Sequence, residues 1–251
     1  MCAGLLLAGQ GRPNIPANQD ATVRLTGHFA AMKDIQTLQA SFACEKQNSL
    51  LAKPLISHGR LWIRRGDIMK AGAGAIRFTT EQPNLSEFIL ADAKVYARSE
   101  RDKKWTKSDQ KSRPGLPAVM EQLGNWSTGE MNNVSELYSV AMGIADVAPG
   151  NAEVIEIPAA DGFPAVKAKG DLEFFVLTPK NAELQKNIRQ ITLAIDKTTH
   201  TLLSVEILAK KSDVTRYCFL NVRTNVELPK DVFVPTDGKL PPSSQPSGSN
   251  P

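Results

Sequence analysis

Three histidines and three cysteines are the readiest sources of chemistry in this chain, and their spacing offers little of it. His28, His58 and His200 fall in no zinc-binding pattern, and there is no Gly-x-Ser-x-Gly nucleophile elbow or paired-acid constellation. Each histidine therefore reads as a surface or strand-edge residue without a catalytic role. The run Ala71-Gly72-Ala73-Gly74-Ala75 invites comparison with a phosphate-binding loop. It lacks the Lys-Ser/Thr ending and the following helix such a loop needs, so it reads as a hairpin tip. The expectation is a protein that is not an enzyme, with no catalytic residue, no metal and no cofactor.

Cys2, Cys44 and Cys218 show no Cys-x-x-Cys and no metal spacing. If Cys2 leaves with a processed leader, Cys44 and Cys218 remain as an even pair, which in an exported protein permits one disulfide. Two buried free thiols are the other reading, because free cysteine is among the most buried residue types. Both stay open at the level of sequence.

One charged residue stands out by position. In Gly59-Arg60-Leu61-Trp62-Ile63-Arg64-Arg65, strand alternation puts Leu61, Ile63 and Arg65 on one face and Trp62 and Arg64 on the other. A guanidinium on an apolar face cannot be neutralised and must find carbonyls or carboxylates, which would make Arg65 a latch. Otherwise its stem lies over apolar surface and its head reaches solvent.

The elements that must position these residues follow from hydrophobic period. Leu25, Phe29, Met32, Ile35, Leu38 and Phe42 recur at steps of three and four, predicting an amphipathic helix from about Asp20 to Cys44. From Pro54 the period turns towards two. Strands are predicted over Ile56–Arg65, Ala75–Glu81, Glu87–Leu90, Lys94–Ser99 and Trp105–Ser108, then over Glu153–Pro158, Ala165–Lys169, Leu172–Thr178, Arg189–Asp196, Leu202–Ala209 and Thr215–Asn221. Between the two sets, Leu116–Leu123 and Val134–Gly143 read as short helices. The expected class is α+β: a curved antiparallel β-sheet, an unclosed β-barrel, covered on one face by a long N-terminal helix and short lid helices. Such a sheet can enclose a cavity if the facing side chains do not fill it.

The 251 residues are 41% apolar and 22% charged with a net charge of +4, an ordinary globular composition. Basic residues are interspersed with acids, including the run from Arg98 to Arg113, which reads as a solvated hairpin; no nucleic-acid partner is expected. No apolar run is long enough to span a bilayer as a helix. Residues 1–19 read either as a leader remnant whose true start lies upstream or as a disordered N-terminus. Residues 240–251, rich in Pro and Ser, read as a disordered tail, leaving 20–239 as the folded domain.

Several segments in order resemble the periplasmic outer-membrane lipoprotein carrier family, LolA. They are Ile35 to Phe42, Gly59 to Arg65, Ile76-Arg77-Phe78-Thr79-Thr80-Glu81-Gln82-Pro83, Phe88 to Tyr96, Phe175-Val176-Leu177-Thr178-Pro179, Ile191 to Asp196, and Val232 to Gly238. The resemblance implies an unclosed barrel whose helical lid covers a hydrophobic cavity for lipoprotein acyl chains. It places the family's lid-binding arginine at Arg65. Candidate cavity residues are Leu38, Phe42, Leu61, Ile63, Phe78, Phe88, Leu90, Leu193 and Ile195, with ordinary core packing as the alternative for each.

By the same resemblance the protein is a monomeric periplasmic carrier. Its implied partners are acylated lipoproteins, an inner-membrane lipoprotein-release ABC transporter complex and an outer-membrane acceptor. A lipid- or lipoprotein-sensing module of the same fold and a small-substrate enzyme are the alternatives. The chain departs from the family pattern at Gly66, where proline is usual, at Ala93, where an Asp-Gly-Lys turn has glycine, and in a longer region from Arg113 to Gly150.

Overall fold

In the computed structural model the described residues are 19–48, 51–67, 70–109, 124–126, 128–129, 134–143, 154–157, 166–169, 171–210 and 213–236. The chain opens with helix α1, Gln19–Ala31, whose buried residues Ala21, Leu25, His28 and Phe29 lie on one face, continued by Met32. The helix ends in tight turns, with Met32 N–H donating to Phe29 C=O (3.1 Å) and Ile35 N–H to Met32 C=O (3.0 Å).

Strands follow: β1 Thr37–Gln47, β2 Leu55–Arg64, β3 Ala75–Gln82, β4 Ser86–Ala91, β5 Lys94–Ser99 and β6 Thr106–Asp109. The one-turn helix α2, Val134–Leu137, leads into β7, Tyr138–Met142, and the hairpin β8 Val154–Ile157 and β9 Val166–Lys169. Then come β10 Leu172–Pro179, α3 Ala182–Gln185, β11 Ile188–Asp196, β12 Leu202–Ala209 and β13 Val214–Thr224.

Among the described residues, eleven strands form one antiparallel sheet in the order β6-β5-β4-β3-β2-β1-β13-β12-β11-β10-β7, and β8 pairs with β9 in a separate hairpin. The order does not close on itself, so β6 and β7 are the two rims. The N-terminal and C-terminal meanders meet at a single seam, β1 against β13, where Phe42 faces Phe219 and Cys44 faces Tyr217. This is the predicted unclosed antiparallel barrel.

Both faces of the sheet are covered. The inner face and α1 share one apolar cluster that draws on β1–β5, β7 and β10–β13. On the outer face, Ile157 of β8 packs with Ala43, Ile56, Leu172, Ala194 and Cys218. Farther along that face, Phe233 of the segment after β13 packs over Ala75, Ile89 and Ala91.

Beneath that strap, Arg77 and Arg98 both pair with the buried Glu87 carboxylate, and Arg77 Nη1 donates to Val232 C=O at 2.9 Å. The Arg98 guanidinium also lies 4.8 Å from the centre of the Trp105 ring. Arg98 thus leaves the predicted solvated basic run and is part of the packed outer face.

Two helical expectations are corrected. The helix predicted to Cys44 stops at Ala31, and Leu38 and Phe42 lie on β1. A step of four from 38 to 42 is also two steps of two, and Leu38, Ala40, Phe42 and Cys44 all point inward along a strand. Of the helix predicted over Val134–Gly143, only Val134–Leu137 is helical; Tyr138, Val140 and Met142 alternate as β7 against β10. The segment Leu116–Leu123, residues 1–18, residues 237–251 and Cys2 lie outside the described residues.

Candidate functional site

The inner face begins with the register of β1–β4. Leu38 pairs with Ile63, Ile63 with Ile76, and Ile76 with Leu90, so one row of apolar side chains crosses four strands, and the next row runs Ala40, Leu61, Phe78, Phe88. Phe42 stacks on Phe78 with ring centroids 4.1 Å apart. Gly59 makes this possible: a Cβ there would overlap the Thr79 carbonyl oxygen and come within 2.5 Å of Phe42 Cζ.

All nine predicted cavity residues lie in the same buried cluster: Leu38, Phe42, Leu61, Ile63, Phe78, Phe88, Leu90, Leu193 and Ile195. They pack against one another and against Leu25, Phe29 and Met32 of the helical cover. A void of about 10 Å³ remains between Leu38, Ala40, Leu61, Leu202, Phe219 and Val222. That is room for about one water molecule, whereas ligand pockets enclose roughly 300–1,000 Å³.

Arg65 follows β2 directly. Its Nη1 donates to the carbonyls of Met32 (3.2 Å), Lys33 and Ile35 (3.5 Å), in the turn where α1 unwinds. A cation at a helix C-terminus is also favoured by the helix dipole. The Arg65 backbone N–H donates to Gln36 C=O at 2.8 Å, fixing the arginine to the same turn. Gly66 has φ 132°, a backbone conformation left to glycine, so the chain departs from β2 by a route proline could not take.

A second polar junction joins the helix to the sheet, and sequence reasoning missed it. His28 is 7% exposed and Glu173 5%. His28 Nε2 lies 2.7 Å from Glu173 Oε2, and Arg24 Nη2 donates to Glu173 Oε1. On its other side, His28 Nδ1 meets His200 Nδ1 at 2.8 Å, and Phe175 closes the His28 ring edge-on at 5.7 Å.

Burial pushes the Glu173 carboxyl up, but hydrogen bonds from His28 and Arg24 and their positive charge outweigh it and hold it below the usual range. The sequence held one signal: His28 sits three residues after Leu25 and beside Phe29, within the buried helical stripe. A histidine there is not a surface residue, which corrects that expectation for His28.

The cysteines occupy opposite faces of the seam. Cys44 faces Tyr217 inside and Cys218 faces Ala43 outside, and both are free thiols. Burial pushes the Cys44 thiol and the Tyr217 phenol up. No group of three or more metal-ligating side chains occurs among the described residues, and no helix among them is long and apolar enough to cross a membrane.

Residues 161–236 match the family model described as "Outer membrane lipoprotein carrier protein LolA". Over that segment the chain is similar to LolA. The matched segment takes in β9 to β13 and the strap, with Leu193 and Ile195 inside it; Arg65 and the other seven apolar candidates precede it.

Solved structures similar to this chain include MucB, at 15% identity over 86% of this chain and 62% of that one, with a TM-score of 0.45. They also include the Mycobacterium tuberculosis lipoprotein LppX, at 12% identity over 84% and 99% with a TM-score of 0.44. A LolA superfamily protein from Nitrosomonas europaea aligns at 8% identity over 85% and 96% with a TM-score of 0.36. The chain spans less than two thirds of the MucB structure. Among curated protein sequences, none matches it.

Proposed function

We propose that this protein is a periplasmic carrier that binds the acyl chains of lipoproteins and moves them from the inner to the outer membrane. The observation that carries the reading is the construction of the inner face. An apolar surface across the sheet, interrupted at Glu173, is covered by a short helix that packs on it through Leu25, Phe29 and Met32 and is clipped by polar contacts at Arg65 and at His28 and Glu173. A cover fixed by polar clips can lift and leave hydrocarbon-compatible surface behind.

In this reading Leu38, Phe42, Leu61, Ile63, Phe78, Phe88, Leu90, Leu193 and Ile195 receive the acyl chains, and Arg65 is the lid latch. Burial of hydrocarbon, about 0.8 kcal/mol per CH₂, supplies affinity. Opening the helix and separating the packed side chains offsets part of that gain, which allows the cargo to leave. No covalent step is required, so the protein acts without a catalytic centre. An inner-membrane ABC release complex loads it, an outer-membrane acceptor unloads it, and it works as a monomer.

The test is to add purified protein to spheroplasts making a triacylated lipoprotein. A soluble one-to-one complex is the expected result. Binding of free lipid without release of any lipoprotein would overturn carriage in favour of a lipid sensor. For the latch, Arg65→Leu removes the donor to three carbonyls and is expected to weaken closure by about 1–2 kcal/mol. Faster amide exchange at residues 28–35 and slower cargo release, with unchanged global unfolding, are the readouts. Unchanged exchange and release would remove Arg65 from the mechanism.

A further inference from the structure

The junction between α1 and the turn joining β11 to β12 has a property that Arg65 lacks: it can hold only a limited number of protons. His28 Nδ1 and His200 Nδ1 are 2.8 Å apart, so one proton must lie between them, donated by one ring and accepted by the other. His28 Nε2 faces a carboxylate oxygen and is a donor. The pair is therefore compatible with two neutral rings, or with one neutral ring and one imidazolium. It is incompatible with two imidazolium ions, because both Nδ1 atoms would then carry hydrogens pointed at each other.

We propose that His28 and His200 form a proton-sensitive clasp that holds α1 to the β11–β12 turn when at most one of the two rings is charged and lets go when both are. This rests on the carrier reading for its meaning, since α1 is the cover of the proposed acyl site. The clasp itself is a property of the empty protein.

The surrounding charges set the direction. Arg24, one helical turn before His28, places a guanidinium on the Glu173 carboxylate, so that negative charge is already answered before a second imidazolium arrives. Two protonated rings would give the cluster three positive charges against one negative. The other elements around α1 add little: Glu136 of α2 is exposed, β7 carries no charged side chain, and the Lys197–Asp171 ion pair at the foot of the turn is exposed. The open arrangement can bind one more proton than the closed one, so acid favours opening.

Hydrogen exchange of the α1 amides in the full, cargo-free chain tests this. After correction for intrinsic exchange, protection of residues 25–31 is expected to fall roughly tenfold between pH 7.5 and 5.5, the effect of about one unit of proton linkage. His200→Asn is the matched variant. His200 has φ 58°, which asparagine tolerates, and the Asn amide can donate to neutral His28 or accept from its protonated form. Its protection is expected to be the same at both pH values.

Nitrogen-15 imidazole spectra of the unmodified protein give a second readout, with the second ring protonating only as the α1 amides lose protection. Constant protection in the unmodified protein, or an equal fall in His200→Asn, overturns the clasp. Failure to extract lipoprotein from spheroplasts would overturn the carrier reading and leave an observed pH-dependent clasp standing.

Discussion

Glu173 occupies a site where a carboxylate is costly unless it is answered. It lies opposite Ile195 on the inner face of β10, among apolar neighbours, yet accepts hydrogen bonds from His28 and Arg24. Glu173→Gln keeps the volume and removes the charge, and is expected to cost about 2–3 kcal/mol at pH 7. Its pH dependence has a definite sign. The folded carboxyl is held below its ordinary value of 4.5, so the stability it contributes is present above that value and is lost as pH falls through the folded one. In urea denaturation the gap between the native protein and Glu173→Gln should be full at pH 6 and shrink by pH 3. A constant gap would mean the charge is not what the site uses. None of this was legible from residue spacing, because His28 and Glu173 are 145 positions apart.

Individual elements were readable where period and turn chemistry were unambiguous. Lys94–Ser99 and Leu202–Ala209 were predicted at both boundaries, since β-rich runs end there in polar turns. The helix predicted to Cys44 and the one over Val134–Gly143 failed where apolar spacing fits both periods and partner strands decide. Leu61, Ile63, Phe78, Phe88, Leu90, Leu193 and Ile195 fall in predicted strands, where alternation assigns each to a face, whereas Leu38 and Phe42, expected on the helix, join the same cluster from β1.

The β4–β5 hairpin carries a sequence departure with a measurable cost. Its two-residue turn, Asp92-Ala93, has φ 54° and 57°, the left-handed values of a type I′ turn. Alanine is penalised there by about 1–2 kcal/mol. Ala93→Gly is expected to recover about 1 kcal/mol, part of the gain being lost to the extra freedom of glycine in the unfolded chain. A lower thermal midpoint for that variant would contradict the assigned turn.

At the scale of the whole molecule, the two meanders depend on each other through the β1–β13 seam, which joins residues 38–47 to 214–224. The segment matched by the LolA family model, 161–236, contains β10–β13 but lacks β1, α1 and the β2–β5 face. Expressed alone, it would leave the hydrogen-bonding edge of β13 and the inner faces of four strands uncovered. It is expected to show no cooperative unfolding transition by circular dichroism, whereas the full chain should. A cooperative transition in the fragment would show that half of the sheet is self-sufficient. Sequence order alone could not indicate this dependence, since it comes from a pairing across almost the full length of the chain.

The seam also bears on how the protein answers mechanical load. α1 enters β1 at Thr37 on the inner side, the strap leaves β13 at Thr224 towards the outer side, and Asn225 N–H donates to Thr37 C=O at 2.8 Å. Once α1 and the strap are drawn off the two faces, tension along the chain would therefore meet the sheet at one point, the first rung of an antiparallel ladder, and break its rungs in succession instead of shearing them together. Pulled in that way, the molecule would yield from the centre of the sheet, with both rims still intact.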